Sequence, residues 1–78
     1  MFHVYAIRSL SRNYVYVGLT SNLARRLNQH NSGHNKTTRA YAPFRLIHSE
    51  SFPSRPQARE REIQLKSGLG KEFLRSLE

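Results

Sequence analysis

The stretch Tyr14–His30, YVYVGLTSNLARRLNQH, carries a tyrosine-bearing strand into an arginine-bearing helix. Arginine presents a planar fork that suits phosphate oxygens, and this junction reads as one wall of a phosphodiester-cleaving site. Arg26 and His30 lie four residues apart on one helix edge. Tyr5 and Tyr16 fall on two strands, and Glu62, further along, is the carboxylate aimed inward. Hydrolysis of a phosphodiester needs a deprotonated nucleophile, stabilisation of charge on a phosphorane-like transition state and help for the leaving oxygen. An inward glutamate is costly unless a cation or metal pairs with it. One glutamate completed by waters is a common way to hold magnesium.

These side chains need elements to position them. Phe2 to Ile7 alternates Phe2, Val4, Ala6 against His3, Tyr5, Ile7 and reads as a first strand. Arg8 to Asn13 is a polar loop, and Tyr14 to Leu19 alternates again, so residues 2–18 predict an antiparallel hairpin with Tyr5 and Tyr16 as cross-strand neighbours on one face. Thr20 and Ser21 are helix-capping types, and a helix is expected over about Ser21–Ser32, stopped by Gly33. His34 to Pro43 reads as a loop or short irregular helix, and Phe44 to Phe52 as a third strand. Ser54 caps a helix over Arg55–Lys66 with Pro56 in its first turn. Ser67-Gly68 interrupts it, and Leu69–Leu77 forms a last short helix. The order ββαβαα predicts an α+β fold, a small three-stranded antiparallel sheet flanked by helices, in one domain over residues 1–78.

Helical spacing of 100° per residue decides which side chains turn inward. Leu23 and Leu27 define the buried stripe of the first helix, with Arg26 and His30 along its edge and Arg25 toward solvent. Ala58 and Leu65 share a face of the second long helix, Glu62 falls between them, and Glu60 faces the opposite way. Each has a plainer reading. Arg26 lays its stem along the core edge, His30 is a core histidine at a helix C-terminus, Glu62 forms an ion pair with Arg26 or Lys66, and the tyrosines are ordinary core and rim aromatics. His30 and His34 have a zinc-compatible spacing, but Gly33 between them ends the helix.

Charge narrows the partner. The net charge is +8, from 13 Lys and Arg against 5 Glu. Ten of the cations are arginine, and no acidic residue precedes Glu50. A polyanion is the implied partner, nucleic acid above all, with DNA the first expectation. Arg25, Lys36, Arg39 and Lys66 are candidate contacts to its backbone. Scarce carboxylates argue against a two-metal site, which needs several converging. A chain this short buries only about 60–65% of its unfolded surface, and without cysteines it has no disulfide to assist. That absence fits a reducing compartment. No apolar run approaches the roughly 20 residues of a membrane span, and the start shows no secretory signal, so a cytoplasmic protein is expected.

Together these residues resemble the GIY-YIG endonuclease superfamily, specifically its short single-domain members. The first tripeptide falls at Val4-Tyr5-Ala6, with only the tyrosine kept, and the second at Tyr16-Val17-Gly18. The helix pattern falls at Asn22-Leu23-Ala24-Arg25-Arg26-Leu27 and Gln29-His30-Asn31-Ser32-Gly33. The late glutamate falls in Ala58-Arg59-Glu60-Arg61-Glu62, followed by Leu65-Lys66-Ser67-Gly68. The resemblance spans about residues 2 to 75. It implies Tyr5 as general base toward the attacking water, Tyr16 as its partner, Arg26 as phosphate clamp, His30 as a group sharing protons with Tyr5, and Glu62 as ligand of one Mg2+ or Mn2+. Many members carry an asparagine after the glutamate, and Gly70 to Glu78 has none.

The expected function is a metal-dependent endonuclease acting on DNA with low sequence specificity, selecting structure in repair or recombination, with a partner protein to target it. The alternative is a nucleic-acid-binding module of the same fold with little turnover. A cation beside Tyr5, whether Arg26 or the metal, is expected to favour its phenolate.

Overall fold

In a computed structural model, which describes residues 1–77, the chain runs β1 (Phe2–Ser9), β2 (Val15–Thr20), α1 (Leu23–Asn31), a 3-10 turn at Arg39–Tyr41, β3 (Phe44–Phe52), α2 (Arg55–Lys66) and α3 (Gly68–Arg75). This is the ββαβαα order of an α+β domain. The sheet is antiparallel with strand order β2-β1-β3. β1 is therefore central, and Val4, Tyr5, Ala6 and Ile7 are all fully buried.

Alternation along β1 sends these four residues into two different cores. Val4 and Ala6 join Val17, Ala58, Leu65 and Leu74 on the face covered by α2 and α3. Tyr5 and Ile7 join Phe44 on the other face, with Leu23 and Leu27 of α1 and Tyr14, Tyr16 and Tyr41 packed around them. An irregularity between Ala6 and Ile7 skips Ile47 in the pairing with β3. Ile47 packs against the α2–α3 core.

Several element ends differ from the sequence expectations. β1 continues to Ser9, two residues past the expected end, because Arg8 and Ser9 stay paired with Arg45 and Phe44 of β3, and Ser9 Oγ donates to the Tyr41 carbonyl and takes N–H bonds from Ser11 and Arg12. α1 begins at Leu23, not Ser21. Its cap is Asn22, whose side chain accepts the Arg25 N–H at 3.1 Å, while Thr20 Oγ1 accepts the Asn22 N–H. Gly33 ends the helix region with φ +77. Ser54 caps α2 as expected. Ser67 both ends α2 and caps α3, so the break is one residue wide. Among the described residues no helix is long and apolar enough to cross a membrane.

Candidate active site

The middle of the hairpin sets the floor of the site. Tyr5 pairs with Gly18 across β1 and β2, and Tyr16 pairs with Ile7. The two tyrosines are therefore diagonal neighbours on one face, not directly opposed, with ring centroids 6.2 Å apart. A Cβ on Gly18 would lie 2.6 Å from the Tyr5 hydroxyl oxygen and 2.9 Å from the Tyr16 ring. The missing side chain is what lets the Tyr5 ring lie across β2.

α1 closes over this floor. Leu23 and Leu27 are only half-buried, and the fully buried residue of the helix is His30. Its ring centroid is 4.9 Å from that of Tyr16 and 5.9 Å from that of Phe44. Tyr5 Oη and His30 Nε2 are 2.8 Å apart. On the other side of the ring, His30 Nδ1 is 2.8 Å from Thr38 Oγ1, and Thr38 is itself fully buried. Arg26 Nε–H donates to the Tyr5 oxygen at 3.3 Å, and its Nη1 donates to Gln29 Oε1.

This network assigns the protons. The Tyr5 oxygen accepts from Arg26, so its own proton goes to His30 Nε2. The neutral ring then carries its proton on Nδ1 and donates it to Thr38. Burial, and then the Arg26 charge, push the His30 pKa below its usual value, so the ring is neutral at pH 7. Burial raises the Tyr5 phenol above its usual value. The Arg26 hydrogen bond opposes that, while the Tyr16 phenol and the Glu62 carboxylate add to the rise. This corrects the expectation that Arg26 beside Tyr5 is enough to favour the phenolate: desolvation outweighs the arginine.

Glu62 stands on the opposite side of the sheet, on α2 between Ala58 and Leu65, at the end of β2. Its Oε1 takes a hydrogen bond from Arg59 Nη1 at 2.6 Å, and its Oε2 lies 3.3 Å from Lys66 Nζ. The predicted pairing with Lys66 is present. Arg26 is occupied at Tyr5, and Arg59 takes the place expected of it. One cleft beside Glu62 is lined by Leu19, Arg55 and Arg59. A second is lined by Arg25, Arg26, Gln29 and Asn22, and it shares Leu19 and Arg55 with the first. The two form a continuous basic depression around the end of β2. Tyr5, Tyr16, Arg26 and His30 thus form one cluster, and Glu62 lines the neighbouring cleft, near enough for its charge to act on Tyr5. Arg25 is exposed, as expected, yet lines the depression beside Arg26. Lys36 and Arg39 are exposed between α1 and β3 and line neither cleft.

The pairing of Glu62 bears on a metal. Its carboxylate is a hard oxygen donor facing an open cleft, and the partners on it are long side chains, Arg59 and Lys66, 63% and 52% exposed. Such cations can swing aside, so the residues fit an ion that keeps most of its waters. Among the described residues no three His, Asp or Glu converge, and His34 turns to Ser32 Oγ, away from His30.

Sequence reading missed Thr38, Arg55 and Arg59. The arginines had a usable signal: residues 55, 59, 62 and 66 follow i, i+4, i+7, i+11 on one helix face. Thr38 had none, since it lies in an irregular segment.

A ββαβαα domain whose first two strands carry tyrosines that answer an arginine and a histidine on the first helix is the arrangement expected of a small nuclease domain. The family described as GIY-YIG catalytic domain matches residues 1–74, and the chain belongs to that family of nucleases. It is 42% identical over 67 residues to a UPF0213 protein of Halobacterium salinarum, covering 85% of this chain and 86% of the relative. It is 36% identical over 66 residues to a UPF0213 protein of Natronomonas pharaonis, covering 83% and 78%. The solution NMR structure of the UPF0213 protein BH0048 from Bacillus halodurans matches it with a TM-score of 0.57 at 36% identity, covering 100% of this chain and 86% of that one.

Proposed function

We propose that this chain is an endonuclease that hydrolyses phosphodiester bonds in DNA, needs one Mg2+ or Mn2+ ion, and selects nucleic-acid structure over sequence in repair or recombination. The observation that carries the reading is the buried Tyr5–His30 hydrogen bond beside Arg26. A phenol with pKa near 10 can act as a base only if its own proton has somewhere to go. His30 Nε2 is that acceptor, held neutral and aimed at Tyr5 through Thr38. As a water proton passes to the Tyr5 oxygen, the Tyr5 proton passes to Nε2, and the ring becomes an imidazolium. Tyr5 has no exposed surface and Arg26 covers its hydroxyl. Drawing the guanidinium onto a phosphate uncovers the phenol at the moment the substrate arrives. Arg26 then neutralises non-bridging oxygens, and Tyr16, half-exposed, bounds the space for water.

Glu62 is the residue that would hold the ion, which when bound supplies charge withdrawal and stabilisation of the leaving oxygen. Arg25, Arg55 and Arg59 line the path of the flanking backbone. Affinity is mainly electrostatic and falls steeply with salt.

A second reading, a binding module with little turnover, draws on one observation: both Glu62 oxygens are paired with the chain's own cations, which removes the repulsion an unpaired carboxylate would exert on phosphate. Supercoiled plasmid separates the two. Nicking that requires Mg2+, stops with chelator and is lost in a folded Glu62→Ala variant supports the enzyme. Binding without nicking in the wild type supports the module.

A further inference from the structure

The outer edge of β2 borders a depression that neither the Tyr5 cluster nor Glu62 accounts for. It has a volume of about 390 Å3, within the roughly 300–1,000 Å3 of small-ligand sites. It opens between β2 and the corner where α2 meets α3. Its floor is apolar, made of Val15, Val17, Leu65 and Leu74, the last three being part of the core. Its rim is cationic, with Lys71 and Arg75 from α3 and Lys66 from α2, and among the described residues no carboxylate lines it. Among the described residues β2 has a sheet partner on one side only, so its outward N–H and C=O groups are left to pair with a ligand.

Two residues tie this depression to the site already described. Lys66 lines it while its Nζ lies 3.3 Å from Glu62 Oε2. Tyr16 lines it and also belongs to the tyrosine cluster. A polymer with a phosphate near Glu62 therefore passes Lys66, which borders this depression.

An apolar floor, a polar strand edge and a ring of cations match the three parts of a nucleotide: base face, base edge and phosphate. We propose that this depression receives a nucleotide unstacked from the strand that crosses the Glu62 cleft, so that the chain favours nucleic acid with an unpaired nucleotide beside the phosphate to be cut. An intact duplex keeps its bases stacked inside and must spend unstacking energy to fill it. This deepens the nuclease reading and rests on it. An acidic peptide adding as a strand to β2 would use the same cations and strand edge. Lys66, shared between this depression and Glu62, favours the nucleotide.

The test compares two fluorescein-labelled DNA duplexes, one perfectly paired and one with a single bulged thymidine, by anisotropy in chelator. The wild type binds the bulged duplex about fivefold tighter or more, the range set by stacking of one base. In Lys71→Ala/Arg75→Ala, both exposed positions, that preference disappears while affinity for the perfect duplex changes less than about twofold. Val15→Phe, which fills the floor, has the same effect, and its fold is checked by thermal melting. In parallel the Val15, Val17 and Leu74 methyl resonances shift on titration with the pentanucleotide dT5. Equal weakening toward both duplexes, or no preference in the wild type, overturns the proposal. So do methyl shifts that arise with a peptide of alternating Glu and Val but not with dT5. Plasmid nicking keeps the two readings apart. A wild type that nicks but ignores the bulge sinks the pocket alone, and one that prefers the bulge but never nicks sinks the nuclease reading and leaves the pocket standing.

Discussion

Tyr5 Oη and His30 Nε2 lie 2.8 Å apart on residues without exposed surface, one in the central strand and the other 25 positions later near the end of α1. A hydrogen bond there joins two groups whose pKa values are pushed apart: burial raises the phenol and lowers the imidazole. The neutral pair is thereby stabilised.

Removing the hydroxyl isolates its role. Tyr5→Phe keeps the ring that packs over Gly18 and loses the hydroxyl to which the proposed mechanism gives the proton transfer. Single-turnover cleavage is expected to fall roughly 10²–10⁴-fold, the usual worth of a positioned base. DNA affinity by anisotropy stays within about twofold. Matching losses of affinity and rate would make Tyr5 a binding group.

Thr38 is a positioning residue behind His30. Thr38→Val keeps the shape and deletes the acceptor of the Nδ1 proton. A buried donor without a partner costs about 1–3 kcal/mol, read from urea denaturation, and the His30 tautomer assigned by 15N shifts becomes mixed. Thr38→Ser restores both. A valine variant with unchanged stability and an unchanged tautomer would remove Thr38 from the relay.

Gly18→Ala places a methyl 2.6 Å from a hydroxyl oxygen that is held by both Arg26 and His30. The ring is buried and cannot step aside. Overpacking of this kind costs about 1–3 kcal/mol, so the melting temperature falls and the Tyr5–His30 bond is disrupted with it. Full stability in the alanine variant would mean that the hairpin flexes to make room.

Stability depends on pH with a definite sign. His30 has a folded pKa below its usual 6.5. As pH drops below about 6.5 the unfolded chain takes up a proton that the folded chain refuses, so stability is lost until the folded pKa is passed. Glu50 adds a second loss at lower pH. Burial alone would raise it, but hydrogen bonds from His48 and Arg61 hold its carboxyl below the ordinary 4.5, so its contribution disappears as pH falls from there. Denaturation midpoints across pH 4 to 8 follow these two windows, and in His30→Gln the upper one flattens. A midpoint unchanged between pH 7 and pH 5 in the wild type would contradict the buried neutral imidazole.

Local patterning was enough for most of the fold. Period-two alternation marks β3 at Phe44–Phe52, and Ser54 with Pro56 marks the start of α2. Helical spacing alone turned Arg26 toward the core edge, and Glu62 in place of Glu60, because a helix fixes direction by residue number. The start of α1 lies two residues later than expected, since Thr20, Ser21 and Asn22 are all capping types and only the folded chain shows Asn22 accepting the Arg25 N–H.

What the sequence by itself determined was the set of elements, their order and the side chains each could present, all of which follow from short-range periodicity and steric rules. Only the tertiary structure decided which of those side chains meet. Sheet register set Tyr5 over Gly18 and diagonal to Tyr16, loop closure brought Thr38 behind His30, and the docking of α1 on the sheet gave Arg26 to Tyr5. The contacts of Tyr5, Arg26, His30 and Thr38 join residues 8 to 25 positions apart, whereas the Glu62 pairs lie within one helix. Their energies depend on burial and on competing partners, and neither quantity exists until the chain has closed around them.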